Sequence, residues 1–354
     1  MKVFLHIGYP KCFSTTIQKE LYCQHPEIFY GGIGYGDGNI DFYNDELNLF
    51  FESGLIYFRN KHYQSFESRF KNVFQNFYKE AKISNHQICG FSSEHALFNF
   101  TPQTTDIDVK LDRMRRMFGT ELKIIWIIRE PISLILSLYK EYVNMGYVHN
   151  FDYFLKWVYK YQDRNFYFDL HYNKVLENIL EYFPKENLLI TQFEKYKNSN
   201  KSNLNLLFKE VCEFLNIRPI KAEISNRNPS LSKDELCKRL DANRVIKYDF
   251  GSELLEGIED HRRRIFFNGI LKLGLKEEAL FHNILKKRKS KENAIVNSKQ
   301  HLKKDIYSID KNNLYKITRE LDQDFNMLID KLPSVSLELY NSQRQTILSN
   351  INLF

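Results

Sequence analysis

A lysine and three hydroxyl residues follow the first apolar segment of the chain. Residues 2–7 form a short apolar run, which predicts a buried strand. Lys11 lies in the loop after it, and the helix predicted next opens with Ser14, Thr15 and Thr16. The first N–H groups of a helix are unpaired and lie at the positive end of its dipole, so they bind phosphate well. The segment is typical of a phosphate-binding loop, and an ordinary hydroxyl cap beside a surface lysine is the alternative.

The loop differs from that of nucleotide kinases and hydrolases. Their pattern, G-x-x-x-x-G-K-[ST], places the lysine at the end of the loop, directly before the hydroxyl that binds Mg²⁺. Here Lys11 comes three residues before the hydroxyls, and the second glycine is missing. The spacing favours another kind of phosphate-binding loop. A nucleotide kinase or hydrolase and a non-catalytic nucleotide-binding protein are kept as alternatives.

An arginine and a serine follow a second apolar segment. Residues 122–128 form a continuous apolar run, which predicts a strand buried on both faces. Arg129 stands at its carboxyl end, where parallel α/β sheets bind their ligands. Pro131 suits the first turn of a helix, and Ser137 lies eight residues after the arginine. The two side chains can hold one phosphate between them, the arginine through paired hydrogen bonds. Pairing of the arginine with a nearby carboxylate is the alternative.

The two segments together resemble the sulfotransferases that use 3′-phosphoadenosine 5′-phosphosulfate (PAPS). The family's loop for the 5′-phosphosulfate runs approximately Pro-Lys-x-Gly-[ST]-[ST], and residues 10–15 read Pro-Lys-Cys-Phe-Ser-Thr. Its motif for the 3′-phosphate is an arginine, a serine eight residues later and often a tyrosine two residues after that, as at Arg129, Ser137 and Tyr139. The resemblance implies transfer of a sulfuryl group from PAPS to an acceptor hydroxyl or amine.

The resemblance also assigns residues to the donor. Those expected to hold PAPS are Lys11, Cys12, Phe13, Ser14, Thr15, Thr16, Arg129, Ser137 and Arg227. Arg227 precedes residues 228–232, which resemble an Asn- and Ser-rich stretch of bacterial members, and residues 188–196 resemble the family's later strand. No metal is expected, because the lysine neutralises the leaving group.

Phe13 stands where the family usually has glycine. Glycine lets the backbone approach the phosphate closely and adopt a positive φ. The phenylalanine predicts either a negative φ in this loop or a ring that packs on the adenosine or under the sheet.

A base must remove the proton of the acceptor. In several branches of the family it lies at the end of the strand before the arginine strand, where residues 92–95 read Ser-Ser-Glu-His. Bacterial members often carry Ser-Ser-Glu there, which favours Glu94 over His95. A glutamate needs burial to raise its pKa, whereas a histidine starts near neutral. A purely structural role for both is the alternative, and Glu27 and Glu46 are further candidates for the base.

The expected acceptor is a small molecule or glycan, with a carbohydrate favoured. The opening HIG-x-P-K and the Ser-Ser-Glu segment resemble bacterial carbohydrate-type members, and Ile17 stands where the animal phenol and steroid enzymes usually have tryptophan. Polar and aromatic residues expected at the mouth of the site, where they suit sugar faces and hydroxyls, are Tyr9, His95, Tyr142 and Tyr147. Because aromatic residues make up 15% of the chain, core packing is the alternative.

Composition restricts partners and location. The net charge of +7 suits an anionic ligand, and no nucleic-acid signature accompanies it, so no nucleic-acid partner is expected. Five cysteines without a CxxC pair argue against a disulfide framework or a zinc site. Without a signal peptide or a long apolar stretch, the expectation is a cytoplasmic protein with no stable membrane insertion. The oligomeric state stays open.

Alternating strands and helices predict an α/β fold, with a P-loop-like parallel sheet of about five strands and helices on both faces, in a single domain over residues 1–354. Strands are predicted at 2–7, 87–91, 122–128 and 187–192. Helices are predicted at 60–82, 105–118, 151–164, 170–182, 202–215, 232–247, 253–287 and 310–331. Residues 31–38 read as a glycine-rich loop, 288–304 as a Lys-rich loop, and 305–354 as a C-terminal helix and tail.

Overall fold

A parallel sheet forms the centre of the protein. The computed structural model describes residues 1–33, 44–99, 104–144, 147–163, 165–197, 201–220, 232–249, 310–332 and 334–352. Within them the strands are β1 (Lys2–His6), β2 (Ile28–Ile33), β3 (Ile88–Ser92), β4 (Lys123–Ile128) and β5 (Leu188–Gln192). They lie in the order β2-β3-β1-β4-β5, and each neighbouring pair is parallel. The predicted α/β fold with a parallel sheet of about five strands is confirmed.

Helices connect the strands, as parallel pairing requires. In the described residues they are α1 (Ser14–Ile17, continued by a π-helical turn Gln18–Tyr22), α2 (Asp45–Leu49, continued likewise by Phe50–Gly54), α3 (Asn60–Ile83), α4 (Ile107–Phe118), α5 (Pro131–Asn144), α6 (Phe151–Lys160), α7 (Tyr172–Tyr182), α8 (Glu194–Lys197), α9 (Lys201–Leu215), α10 (Lys233–Asp249), α11 (Lys311–Lys331) and α12 (Leu337–Asn352). Short 3₁₀ turns span Glu94–Ala96, Phe168–Leu170 and Lys185–Asn187. Helix α12 lies in the segment expected to be a tail.

Helices cover both faces of the sheet. Side chains alternate between the faces of a strand, so neighbouring residues of β3 point to opposite sides. On one side Phe91 packs against Phe77 of α3, with ring centroids 5.0 Å apart. On the other side the ring of Phe4 covers Gly90 and packs 4.9 Å from Tyr22 of the α1 segment. The predicted helices on both faces are therefore confirmed.

Strand β2 corrects the prediction of a loop at residues 31–38, because residues 31–33 belong to the strand. Glycines obscured the strand pattern, since glycine is depleted in strands. A Cβ on Gly31 would lie 2.3 Å from the ring of Phe91, so glycine is required for that ring to pack over the strand. Residues 34–38 lie outside the described residues.

The three tyrosines expected at a site mouth are core residues instead. Tyr9, Tyr142 and Tyr147 are all buried, and their rings pack against other aromatic side chains. The high aromatic content therefore serves the interior at these positions, and the rings cannot present a face to a sugar. His95, the fourth residue of that set, is half-buried.

Contacts group the chain into two compact units. The first contains residues 1–134, 162–227 and 318–346, and with them the whole sheet. The second contains residues 135–161, 228–317 and 347–354. Within the second, Asn243 of α10 donates hydrogen bonds to the carbonyls of Val143 (2.6 Å) and Tyr147 (3.0 Å). The single domain over residues 1–354 stays a prediction.

Some predicted features lie outside the described residues. They are Arg227, most of the 228–232 segment, the helix expected at 253–287 and the Lys-rich loop at 288–304. No helix in the described ranges is long and apolar enough to cross a membrane.

Candidate functional site

The predicted site residues follow strands that end at one edge of the sheet. Backbone hydrogen bonds join these ends: Ser93 N donates to His6 O (3.0 Å), and Phe193 N donates to Ile128 O (2.8 Å). Because the strands are parallel, the segments after β1, β3, β4 and β5 all leave from this edge. The lysine loop, the Ser-Ser-Glu-His segment and Arg129 therefore share one region of the fold.

The loop after β1 has an unusual backbone. Lys11 and Phe13 have φ angles of 63° and 64°, in the left-handed region that costs an L-residue about 1–2 kcal/mol. Of the two alternatives predicted for Phe13, the negative φ is wrong. Phe13 precedes the first turn of α1, and its ring stacks on Phe193 with centroids 4.4 Å apart, which offsets part of the backbone cost.

A buried histidine and a glycine support the base of the loop. His6 is fully buried, and its Nδ1 lies 3.0 Å from Ser92 Oγ, which also accepts a hydrogen bond from Gln18 Nε2 (2.8 Å). Burial lowers the pKa of His6 to about 3, so the ring is neutral at physiological pH. A Cβ on Gly8 would lie 2.3 Å from His6 Nε2, so only glycine fits above the ring.

Arg129 joins the two sequence motifs. Its Nη1 donates a hydrogen bond to the carbonyl of Lys11 (3.0 Å), and its Nε donates to Ser133 Oγ (3.0 Å). The guanidinium also lies over the ring of Phe193, 4.6 Å from its centroid. A guanidinium has five N–H donors, and these contacts use two of them. Arg129 is half-buried, so the side chain is both held in place and accessible to an anion.

The other predicted donor residues lie on the same two segments. Cys12 and Ser14 are buried, whereas Thr15 and Thr16 are half-buried at the start of α1. Ser14 Oγ donates to the carbonyl of Tyr9 (3.4 Å), within the loop. Ser137 is half-buried and lies in the second turn of α5.

The two candidate bases lie in the 3₁₀ turn after β3. Glu94 and His95 are both half-buried. Burial raises the pKa of the Cys12 thiol; Arg129 lowers this pKa, and the carboxylates of Glu194 and Glu94 raise it. Glu94 lies near the lysine loop, because Ser93, the residue before it, donates a hydrogen bond to the carbonyl of His6 at the end of β1.

The two lower-ranked candidates for the base lie elsewhere. Glu27 accepts a hydrogen bond from Arg218 N (3.2 Å), and its carbonyl accepts one from Ile88 N at the amino end of β3. That is the edge of the sheet opposite the lysine loop. Glu46 lies in α2 and forms an ion pair with Arg69 of α3. The position of Glu27 does not fit a base for chemistry at Lys11, and the carboxylate of Glu46 is already paired with Arg69.

A buried network that the sequence did not reveal ties the 3₁₀ turn to the lysine loop. Lys110 Nζ donates to the carbonyl of His95 (3.3 Å) and to Asn99 Oδ1 (2.7 Å). Asn99 donates in turn to the carboxylate of Asp169, whose own carbonyl accepts the hydroxyl of Tyr9 (2.6 Å). Burial raises the pKa of Asp169 and Lys110 lowers it. Lys110 lies among the apolar positions of α4, and this was the feature of the sequence that could have indicated the network.

Two further buried glutamates flank Arg129. The carboxylate of Glu130 accepts the N–H groups of Ile132 (3.0 Å) and Ser133 (2.6 Å) and so caps α5. Glu194 Oε1 accepts Glu130 N (3.0 Å), and burial raises the pKa of Glu194 to about 7, although Arg129 lowers it. In the sequence, a glutamate directly before Pro131 could have been recognised as the cap of a helix. Nothing in the sequence distinguished Glu194 except its position shortly after β5.

The described residues contain no group of three or more His, Cys, Asp or Glu arranged to hold a metal ion.

Two comparisons with known proteins found similarity to sulfotransferases. A model of the sulfotransferase domain family matches residues 109–244, which include Arg129 and Ser137 but not the lysine loop. A solved structure described as a sulfotransferase from Alicyclobacillus acidocaldarius is 16% identical, over 72% of this chain and 97% of that chain, with a TM-score of 0.43. No curated protein matches the chain. Residues 109–244 are therefore similar to the sulfotransferase domain family.

Proposed function

We propose that this protein transfers a sulfuryl group from PAPS to an acceptor hydroxyl or amine. The observation that carries the proposal is the hydrogen bond from Arg129 to the carbonyl of Lys11. It brings together two motifs that are 118 residues apart, one expected to hold the 5′-phosphosulfate and the other the 3′-phosphate. The family match covers the second motif independently.

The residues present fit such a donor. Left-handed residues on both sides of Cys12 curl the backbone, a conformation in which N–H groups converge on an anion. With the lysine and the hydroxyls of Ser14, Thr15 and Thr16, this loop offers donors to the phosphosulfate. Arg129 and Ser137 offer donors to the 3′-phosphate, and Arg227 is proposed with them.

The reaction needs a charge at the leaving group and a base at the acceptor. The acceptor oxygen attacks sulfur while the bond from sulfur to the bridging oxygen breaks, and adenosine 3′,5′-bisphosphate leaves with the bond electrons. Lys11 stabilises the negative charge that grows on the leaving phosphate. The acceptor proton passes to Glu94, or to His95 beside it. The lysine thus provides the charge without a metal.

A carbohydrate is the acceptor we propose. The HIG-x-P-K opening and the Ser-Ser-Glu segment support it, as does Ile17 in place of tryptophan. Tyr9, Tyr142 and Tyr147 do not support a carbohydrate acceptor, because all three are buried. Radiolabelled PAPS with matched panels of oligosaccharides and simple phenols tests the acceptor class. Transfer to phenols and to no sugar would overturn the carbohydrate proposal alone.

The donor is tested by thermal unfolding with adenosine 3′,5′-bisphosphate and no added Mg²⁺. A ligand of the native state raises the melting temperature by mass action. We expect a shift that Arg129→Ala largely removes and that Arg69→Ala, a change at an exposed arginine of α3, preserves. An equal shift with 5′-AMP would contradict the 3′-phosphate assignment. Stabilisation by ATP that requires Mg²⁺ would favour a kinase or hydrolase instead.

A further inference from the structure

The C-terminal helix α12 reaches the residues around Arg129. Arg344 of this helix forms a buried ion pair with Glu130, the residue that follows Arg129. The side chains are 7% and 0% exposed, so the pair is screened from water. The helix lies well beyond the segment matched by the family model, and no sequence motif pointed to it.

Arg344 is surrounded by acceptors. Its Nη1 lies 2.9 Å from a carboxylate oxygen of Asp322 in α11, and its Nη2 donates to the hydroxyl of Tyr340 (2.6 Å). Burial alone would lower the pKa of Arg344, but Glu130, Tyr340 and Asp322 raise it. The guanidinium is therefore a fixed positive charge. Removing both charges from water costs much of the free energy that their attraction provides. Stability alone is therefore a weak reason for the presence of the pair.

A second residue of α12 approaches the arginine by another route. Gln343 Nε2 lies 3.4 Å from Ser133 Oγ, and the same oxygen accepts the hydrogen bond from Arg129 Nε. Ser133 N in turn is held by the carboxylate of Glu130. Gln343 thus contacts the hydroxyl of Ser133, and Arg344 contacts the carboxylate of Glu130. Both of these residues belong to the corner that contains Arg129.

Charge gives these contacts a consequence for binding. Two carboxyl groups, those of Glu130 and Glu194, lie beside Arg129 and compete with any external anion for its positive charge. Arg344 neutralises Glu130. Burial favours the proton-bearing form of Glu194 and weakens that competitor as well. The positive charge of Arg129 then remains for a ligand.

We infer that Gln343 and Arg344 are positioning residues of the 3′-phosphate site, and that α12 sets the preference of this site for a ligand bearing a 3′-phosphate. The inference rests on the proposed function, because it takes Arg129 as the residue that binds that phosphate. Neither residue is expected to touch the reacting atoms.

The test compares two ligands that differ in the 3′-phosphate. Calorimetry on the full chain gives dissociation constants for adenosine 3′,5′-bisphosphate and 5′-AMP, and their ratio measures the preference. Residues that act without touching a ligand change coupling by amounts that correspond to about 2- to 30-fold. We expect Arg344→Met to lower the ratio about tenfold, Gln343→Leu to lower it about threefold, and Arg344→Lys to retain part of it.

Gln345→Leu, on the exposed side of the same helix, is the matched control and should leave the ratio unchanged. If Arg344→Met fails to fold, Gln343→Leu decides, since Gln343 is only half-buried. A ratio unchanged in the folded variants, with both affinities falling together, would show a purely structural role and overturn the inference alone. A wild-type protein with no preference for the bisphosphate would overturn the proposed donor and the inference with it.

Discussion

Two corners, each leading from a strand into a helix, build the candidate donor site, and they are held by different means. The first corner, residues 8–14 after β1, is shaped by backbone conformation: two left-handed residues and a glycine fitted above a buried histidine. The second corner, residues 129–133 after β4, is held by a hydrogen bond within it and by side-chain charges and hydrogen bonds from elements distant in sequence. The first corner depends chiefly on its own backbone conformation, with contacts from Arg129 and Phe193 added, whereas the second depends on tertiary packing.

This difference predicts whether a substitution changes activity or stability. At the first corner the lysine side chain is half-buried, so its loss should affect chemistry more than folding. At the second corner the buried carboxylate of Glu130 has a buried partner, Arg344, so the loss of either leaves the charge of the other less compensated. The following substitutions test that contrast, beginning with the largest expected effect.

Glu130→Gln should reduce the free energy of unfolding by about 3–5 kcal/mol, the range for breaking a buried ion pair by removing one partner. It leaves Arg344 buried with less negative charge around it. The matched control is Glu46→Gln, whose partner Arg69 is largely exposed, and which should cost about 1 kcal/mol or less. Urea unfolding measures both. Equal costs for the two variants would remove the distinction between the corners.

Lys11→Ala should lower turnover by roughly 10²-fold or more, as for loss of a preorganised charge at a developing anion. Binding of adenosine 3′,5′-bisphosphate should weaken less, because charge on the bridging oxygen grows only in the transition state. The urea midpoint should stay close to that of wild type. Lys82→Ala, at an exposed lysine of α3, serves as the control. Near-normal turnover in Lys11→Ala would refute the assignment of the first corner.

Glu194 should make stability at the second corner depend on pH. Its folded-state pKa of about 7 lies above the ordinary 4.5. Between these two pH values the unfolded chain releases a proton that the native state keeps. The contribution of Glu194 to the free energy of unfolding is therefore complete below pH 4.5 and is lost as pH rises through 7. The full loss corresponds to roughly 3 kcal/mol.

Glu194→Gln removes that dependence, so its stability relative to wild type should rise between pH 5 and pH 8 in urea titrations. Other buried groups titrate as well, and taking the difference between the two proteins cancels their contributions. Two stability profiles that run parallel across this range would show that Glu194 does not hold its proton.

The sequence predicted the first corner better than the second. Lys11 and the hydroxyls lie within six residues of sequence, and periods of two and of three to four residues located the strands and most helices within a few residues of their observed ends. Strand β2 was missed because glycines stand where large side chains usually mark a strand. The groups around Arg129 were missed because Glu194, and Arg344 through Glu130, reach this corner only by tertiary packing. Whether the residues assigned to PAPS bind it stays a prediction.

The backbone angle of Phe13 was also missed, since the prediction weighed residue type and not the turn into α1. This position offers the smallest and cleanest test of strain at the first corner. Phe13→Ala and Phe13→Gly both lose the stacking on Phe193, but only glycine adopts a φ of 64° without cost. The glycine variant should therefore be more stable than the alanine variant by about 1 kcal/mol, measured by urea unfolding. The greater freedom of glycine in the unfolded chain works against it and makes the expected difference a lower bound on the strain. An alanine variant as stable as the glycine variant would mean that the loop relaxes to a negative φ once the ring is gone. The stacking on Phe193 would then be what holds the left-handed turn.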